Sequence, residues 1–380
     1  MLGPWPTPAG PAETNHAPLT APGATRAVER VLERVLDTRL RQARETDAVF
    51  AHDMADRVAA FVRRGGKRLR TAFVCCGWRA AGGSGEPGAV LRTGAALELL
   101  QACALIHDDV MDGSPLRRGA PAMHVDFARD HRTGRAAGSA DSFGTSAAVL
   151  AGDLALAWAD DLLTETALAA PHGARLYDEW RVMRTEMVAG QYRDLRAQAS
   201  GSSDADEART IAVLKSARYT VARPLALGAT LAGADAPVLD ALRAAGRCAG
   251  LAFQLRDDLI GAFGDPEVTG KPSDEDLRSR KLTPLLATAV RLAGATGDQE
   301  AAAVLDPGAG ARPEHGVERM RAVLERTGAR AEIEARIAQL AAAGLRHFEA
   351  TGAAPVVRRE FAALVERASG VAPQPAEELV

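Results

Sequence analysis

"LLQACALIHDDVMDGSPLRRG", residues 99–119, begins as an apolar helix and ends in three aspartates and two arginines. From Ala95 to Ile106 only Glu98 and Gln101 are polar, so a helix here is greasy nearly all round and belongs in the middle of a bundle. Gln101, Ala104, Asp108 and Asp112 fall three, seven and eleven residues along and share one stripe. The carboxylates thus cap an inward stripe, which is costly unless a cation or a partner is bound there. Oxygen ligands one turn apart suit Mg²⁺, which keeps several waters. The chain carries its own control: Asp160, Asp161 and Glu165 repeat the spacing without a buried glutamine before or paired arginines after. A solvated helix face is expected there.

The rest of the chain extends this picture. Of 380 residues, 47% are hydrophobic and 25% charged, enough for a large core. A net charge of −3 gives no field toward nucleic acid. No uninterrupted run of 18 apolar residues occurs, so no membrane span is expected. Residues 1–24 are rich in Pro, Ala and Gly and read as a disordered tail, as do 371–380. Cys75, Cys76, Cys103 and Cys248 lack CxxC spacing and read as buried reduced thiols in a cytoplasmic protein. Between 25 and 370 the pattern is helical almost throughout, with aromatics at 4% and no alternating β-branched runs. Apolar segments fall at about 27–62, 67–82, 88–112, 142–169, 173–199, 207–233, 235–263, 281–293, 315–347 and 354–369. The expectation is an all-α protein, a single large helical bundle around a central cavity.

A second acidic site lies in "GLAFQLRDDLIGAFGDPEVTGKPSDEDLRSRK", residues 250–281. Gln254, Asp257 and Asp258 end another greasy helix, and the following loop brings Lys271 and Lys281. The lysines are informative because only four exist among 46 basic residues: Lys67, Lys215, Lys271 and Lys281. Lysine offers a compact point charge where arginine offers a planar fork, so a phosphate cradle resists the exchange. Lys67 sits in "RRGGKRLR" (63–70) and Lys215 in a helical "VLKSARYT". Two acidic helix ends and two basic groups suggest two anionic substrates, one bridged through metal and one held directly by cations.

Together these motifs resemble the trans-type isoprenyl (polyprenyl) diphosphate synthases. The resemblance covers about residues 60–290 in order. It rests on GGKRLR at 65–70, DDVMD and LRRG within 108–119, GQYRDL at 190–195, Lys215-Ser216, FQLRDD at 253–258 and GK…K at 270–281. It implies the isoprenoid synthase fold and head-to-tail condensation of an allylic diphosphate with isopentenyl diphosphate, dependent on Mg²⁺ with three ions per site. By that resemblance Asp108, Asp112, Asp257 and Asp258 ligate metal. Arg117, Lys215, Lys271, Lys281 and Gln191 hold the allylic diphosphate, with Asp194 beside them. Lys67, Arg70, Gln101 and Arg118 hold isopentenyl diphosphate. The reacting centre is carried by Asp108, Asp112, Asp257, Lys215 and Gln254. Members commonly form homodimers.

In the family a bulky aromatic five or four positions before the first aspartate stops the product at farnesyl length. Here those positions are Cys103 and Ala104, both small, so a geranylgeranyl product is expected. Leu156 and Trp158 are candidate floor residues. Gly261 stands where many members carry a third aspartate of the second motif, which puts one metal ligand in question. Two other readings share the fold. A class I terpene cyclase would carry an asparagine–serine–glutamate triad, which is not found near 250–265. A non-catalytic subunit of a heteromeric synthase would have lost site groups, and Gly261 is the sole hint of that.

Overall fold

The computed structural model describes residues 21–134, 137–264, 274–306 and 313–371. Helix α1 (Ala21–Thr46) is followed by a short α2 (Ala48–Phe50), a π turn (Ala51–Ala55) and α3 (Asp56–Arg63). Next come α4 (Leu69–Ala80), α5 (Gly88–Met111), a two-stranded hairpin of β1 (Leu116–Arg117) and β2 (Ala120–Pro121), and α6 (Met123–Thr133). The long pair α7 (Ala140–Ala169) and α8 (Gly173–Ser200) leads to α9 (Ala205–Ile211), a π stretch (Ala212–Ala222) and α10 (Arg223–Leu231). Helix α11 (Ala236–Phe263) precedes a one-turn α12 (Glu275–Arg278). The chain closes with α13 (Pro284–Thr296), α14 (Gln299–Leu305), α15 (Pro313–Arg326), α16 (Ala329–Glu349) and α17 (Pro355–Ser369).

The all-α expectation holds, and α5 is the central helix. Leu97, Leu99, Leu100 and Ile106 are each 0% exposed, packed among α1, α4 and α7. Burying each such side chain contributes about 1.5–3 kcal/mol. Glu98 is explained by its neighbours: it accepts from Arg68 Nη1 at 2.6 Å and from the Thr71 hydroxyl at 3.0 Å. Windows in α5 and α7 reach mean hydropathies of 1.5 and 1.2 over 18 residues, so both are long and apolar enough to cross a membrane by composition alone. In α5 that greasiness is met by the surrounding bundle, with 67% of its window buried.

Several boundaries differ from the apolar segmentation. Helix α1 begins at Ala21 and Ala24 is 0% exposed, so residues 21–24 belong to the helix, and the rest of the expected N-terminal tail lies outside the described residues. The segment 27–62 breaks at Asp47, whose extended backbone lets its carboxylate cap the Phe50 amide at 2.7 Å. The segment 315–347 breaks at Gly328, at φ 80°, a conformation that glycine adopts without strain. The hairpin, α6 and α14 were not anticipated, because short elements fixed by a turn or one buried face carry little periodicity. The hairpin turn uses Arg118 and Gly119 at φ 54° and 74°, the left-handed pair that tight two-residue turns require. Most of the expected C-terminal tail lies outside the described residues.

Candidate active site

Four elements bring the acidic and basic groups together. The stripe of α5 ends with Asp108 and Asp112, and the π stretch presents Lys215. Lys215 Nζ donates to Asp108 Oδ1 at 2.9 Å and to Asp194 Oδ2 at 2.8 Å. Lys281, just after α12, donates to Asp112 Oδ2 at 3.1 Å and lies 3.5 Å from Asp194 Oδ2. Asp194, on α8 and 1% exposed, is thus the buried anchor for both ammonium groups. Gly190 makes this possible: a Cβ there would come within 2.5 Å of the Lys215 backbone nitrogen, so only a bare residue lets the π stretch approach α8. A continuous helix was expected at 207–233. The wider π winding carries Lys215, as such distortions often do at functional positions.

Charge dominates the pocket. Burial opposes ionisation of Asp108, but Lys215, Lys281 and Arg117 outweigh it and hold the carboxyl below its ordinary range. Burial likewise opposes the Lys281 charge, yet Asp194, Asp112, Asp108 and Asp276 outweigh it and push its pKa up. Arg117 Nε donates to Asp109 Oδ1 at 2.8 Å and its guanidinium lies 3.9 Å from Asp108. Asp109 is 0% exposed and holds the arginine at the rim, a role the motif reading left unassigned. On α8, Gln191 Nε2 donates to Met111 Sδ at 3.5 Å.

A second basic group sits beside the first. Arg70 Nη2 donates to the Thr220 hydroxyl at 3.0 Å and its guanidinium lies over the Tyr219 ring at 4.3 Å. Arg118 lies over Phe61 at 5.8 Å and so close to Gly66 that a Cβ there would meet its Nη2 at 2.9 Å. Burial first, then repulsion from Arg68, Arg117 and Arg70, lowers the Arg118 pKa, the signature of crowded guanidinium groups that want an anion. Gln101 Oε1, Arg70 Nε and the Tyr219 hydroxyl are buried without a hydrogen-bond partner among the described residues. Lys67 is exposed, and its backbone carbonyl accepts from Arg367. Arg68, by contrast, is committed to Glu98 in the core.

On α11, Gln254 Nε2 donates to Asp258 Oδ1 at 2.7 Å, while Asp257 lies on the neighbouring stripe. Asp258 is 4% exposed, and burial, with Asp276 and Asp257 adding to it, raises its pKa well above the carboxylate range. Lys271 lies outside the described residues. Cys103 is 3% exposed on the far side of α5, its Sγ 3.7 Å from His107 Nδ1, whereas Ala104 shares the Asp108 stripe and is half-buried. His107 Nε2 meets the Val149 carbonyl at 3.1 Å, a local packing role. Trp158 and Trp180 are core. The control motif is structural: Asp160 accepts from Trp180 Nε1 at 2.7 Å, and Asp161 and Glu165 pair with Arg39 at 3.3 Å.

The donor set fits a hard cation. Asp112 Oδ1 and Asp258 Oδ2 are buried oxygens without a hydrogen-bond partner among the described residues, and both are hard carboxylate donors. No group of three His, Cys, Asp or Glu side chains is placed to hold an ion unaided among the described residues. That suits Mg²⁺, which is commonly bound by one or two carboxylates completed by substrate phosphates and water.

Comparison with known proteins places the chain among its relatives. The family model "Polyprenyl synthetase" matches residues 52–325. The chain is 37% identical over 245 residues to (2E,6E)-farnesyl diphosphate synthase of Mycobacterium tuberculosis, covering 63% of this chain and 61% of that protein. It is 35% identical over 221 residues to the geranylgeranyl diphosphate synthase of the same organism, covering 57% of each. A crystal structure of geranylgeranyl pyrophosphate synthase from Corynebacterium glutamicum, complexed with isoprenyl diphosphate and magnesium, superposes with a TM-score of 0.85 at 38% identity, over 91% of this chain and 98% of that one. With the motifs in order and the fold shared, the chain belongs to the polyprenyl synthetase family.

Proposed function

We propose that this protein is a Mg²⁺-dependent prenyltransferase that condenses an allylic diphosphate with isopentenyl diphosphate, head to tail, to a geranylgeranyl product. The observation that carries the reading is the pairing of Asp108, Asp112 and Asp194 with Lys215 and Lys281, beside the separate cluster of Arg70 and Arg118. A metal-bridged anion and a directly held anion are the two ligands such a site accommodates. The match spans 61% of the mycobacterial farnesyl diphosphate synthase, so activity and substrates are proposed on the site itself.

Asp108, Asp112 and Asp257 would hold Mg²⁺, with Asp258 beside them. Bound there, the metal neutralises charge that builds on a departing diphosphate. Lys215 and Lys281, already charged and preorganised by Asp194, would take up diphosphate oxygens without reorganising. Arg117, fixed by Asp109, would close the rim of the same site. Lys67, Arg70, Gln101 and Arg118 would orient isopentenyl diphosphate. The greasy stripe of α5 would exclude water from the carbocation. Product length would follow from the small Ala104 on that stripe and from deeper walls such as Leu100 and Trp158. A homodimer is supported by the exposed apolar residues Phe143, Leu150, Tyr177 and Val188 on α7 and α8. All four cysteines are free, which supports a cytoplasmic setting.

The test is incubation with Mg²⁺, isopentenyl diphosphate and each allylic diphosphate, followed by sizing of the products. Elongation to geranylgeranyl diphosphate is expected. Release of a cyclised hydrocarbon would favour the cyclase reading, and no turnover of any pair would favour a non-catalytic subunit.

A further inference from the structure

The loop before α4 carries Lys67, and the first turn of α4 carries Arg70. Its backbone is held against its own preference. Gly65 stands at φ 67°, and Arg68, immediately before the helix, at φ 50°. That left-handed conformation is uncommon for a residue with a long side chain and persists only where its surroundings fix it. The turn at Arg68 therefore sets the course of the chain from Lys67 into the helix that carries Arg70.

The holding contacts come from α5 and α3. Arg68 is 8% exposed and Glu98 7%, so both charges are buried. Arg68 Nη1 donates to Glu98 Oε2 at 2.6 Å, and Nη2 donates to the Val62 carbonyl at 3.2 Å. Glu98 Oε1 accepts from the Thr71 hydroxyl at 3.0 Å, which ties it to the first turn of α4. The guanidinium also fills the space beside Gly65, where a Cβ would meet Nη2 at 3.3 Å, and the next residue, Gly66, abuts Arg118. Arg118 is repelled by Arg68 and Arg70 and attracted by Glu98. One buried carboxylate, three residues before Gln101 on α5, thus neutralises Arg68 and lets three guanidinium groups gather before any anion arrives.

We propose that Arg68 and Glu98 form a positioning pair for isopentenyl diphosphate. The pair locks the turn that sets Lys67 and Arg70 in their places, and it supplies the counter-charge that keeps Arg118 beside Gly66. The proposal rests on the reading above, in which this end of the site takes isopentenyl diphosphate directly. Neither residue of the pair touches the substrate. Packing alone would be served as well by apolar side chains, because a buried ion pair replaced as a unit by well-packed hydrophobic residues often keeps or gains stability. The turn and the charge would not be served by them.

Arg68→Met and the double variant Arg68→Met/Glu98→Leu separate these roles. Affinity for isopentenyl diphosphate would be measured by calorimetry on the full-length protein with divalent metal chelated, beside KM for each substrate and the unfolding midpoint. Arg68→Met should weaken isopentenyl diphosphate binding by about tenfold or more, leave the allylic KM near that of the wild type, and lower the midpoint. The double variant should recover the midpoint but not the affinity; because it restores packing, it decides the matter even if Arg68→Met does not fold. Full affinity in the double variant, unchanged affinity in Arg68→Met, or equal losses for both substrates would overturn the assignment. A wild type that binds no isopentenyl diphosphate would instead overturn the reading on which the assignment rests.

Discussion

Single residues decide charge balance in this site. Asp108 and Asp257 lie toward the ends of two different apolar helices, and in the proposed reaction truncating either would remove one metal ligand. Asp108→Ala and Asp257→Ala should each lower turnover by about 10³-fold or more at saturating Mg²⁺; steady-state rates retained in either variant would discard the two-ended metal arrangement. The two basic groups are separable. Lys215 lies between Asp108 and Asp194, whereas Lys67 is exposed, three residues before Arg70 and next to Gly66, which abuts Arg118. Lys67→Ala should therefore raise KM for isopentenyl diphosphate far more than for the allylic substrate, and Lys215→Ala should do the reverse. Varying each substrate in turn gives the answer, and equal effects on both would show the assignment to be wrong.

At the scale of elements, Arg223 ties α10 to α8, and Arg243 on α11 joins the same carboxylate pair. Arg223 donates to Glu186 through Nε at 2.8 Å and Nη2 at 2.6 Å, and to Glu179 at 2.7 Å through Nη1. Arg223→Met leaves two largely buried carboxylates short of a partner, although Arg218 and Arg243 remain on them. A loss of about 2 kcal/mol in chemical denaturation is expected. Burial opposes ionisation of Glu186, but Arg223 and Arg218 outweigh it and lower the carboxyl pKa. A lowered folded value means the ion-pair stability is present above the ordinary glutamate range, about 4.3, and is lost as pH falls below it. The gap between wild type and Arg223→Met should accordingly narrow in acid; a gap that stays constant would exclude this ion pair as its source.

The same scale governs product length. Cys103 and Ala104 are neighbours in sequence but point to different sides of α5, with Cys103 packed toward α7 and Ala104 on the Asp108 stripe. Ala104→Phe should shift the main product toward farnesyl diphosphate without abolishing turnover. Cys103→Phe should shift it less and cost about 1–3 kcal/mol from overpacking. Chromatography of the products checks both, and unchanged lengths in both variants would place the channel elsewhere.

For the whole molecule, the proposed homodimer would pair the exposed faces of α7 and α8. Leu150 is 60% and Val188 62% exposed, two large apolar side chains turned away from the protomer core. Leu150→Glu with Val188→Glu should convert a dimer to a monomer in sedimentation, with little change in unfolding of the protomer. A double variant that keeps the wild-type mass would move the interface off this face.

Much of this protein was legible in residue order alone. The 3.6-residue apolar period over 25–370 dictated an all-α chain, since no other backbone lets those side chains share a core. The near-uniform greasiness before Asp108 marked the central helix, and the scarcity of lysine singled out Lys215 and Lys281, which the fold brings onto Asp108, Asp112 and Asp194. Local chemistry could not say which groups meet. Asp109 and Asp108 are adjacent, yet one is sealed against Arg117 and the other faces Lys215, because helical phase and the hairpin at 116–121 divide them. Arg68 and Arg70 look alike in "GGKRLR", but one enters the core to meet Glu98 and the other faces Thr220 and Tyr219. Asp276 comes to Gly261, fifteen positions away, only because α12 lies on α11. Sequence determines what each residue can do; packing of distant helices decides which of those interactions is made, because an ion pair or a metal ligand depends on distance in space and not along the chain.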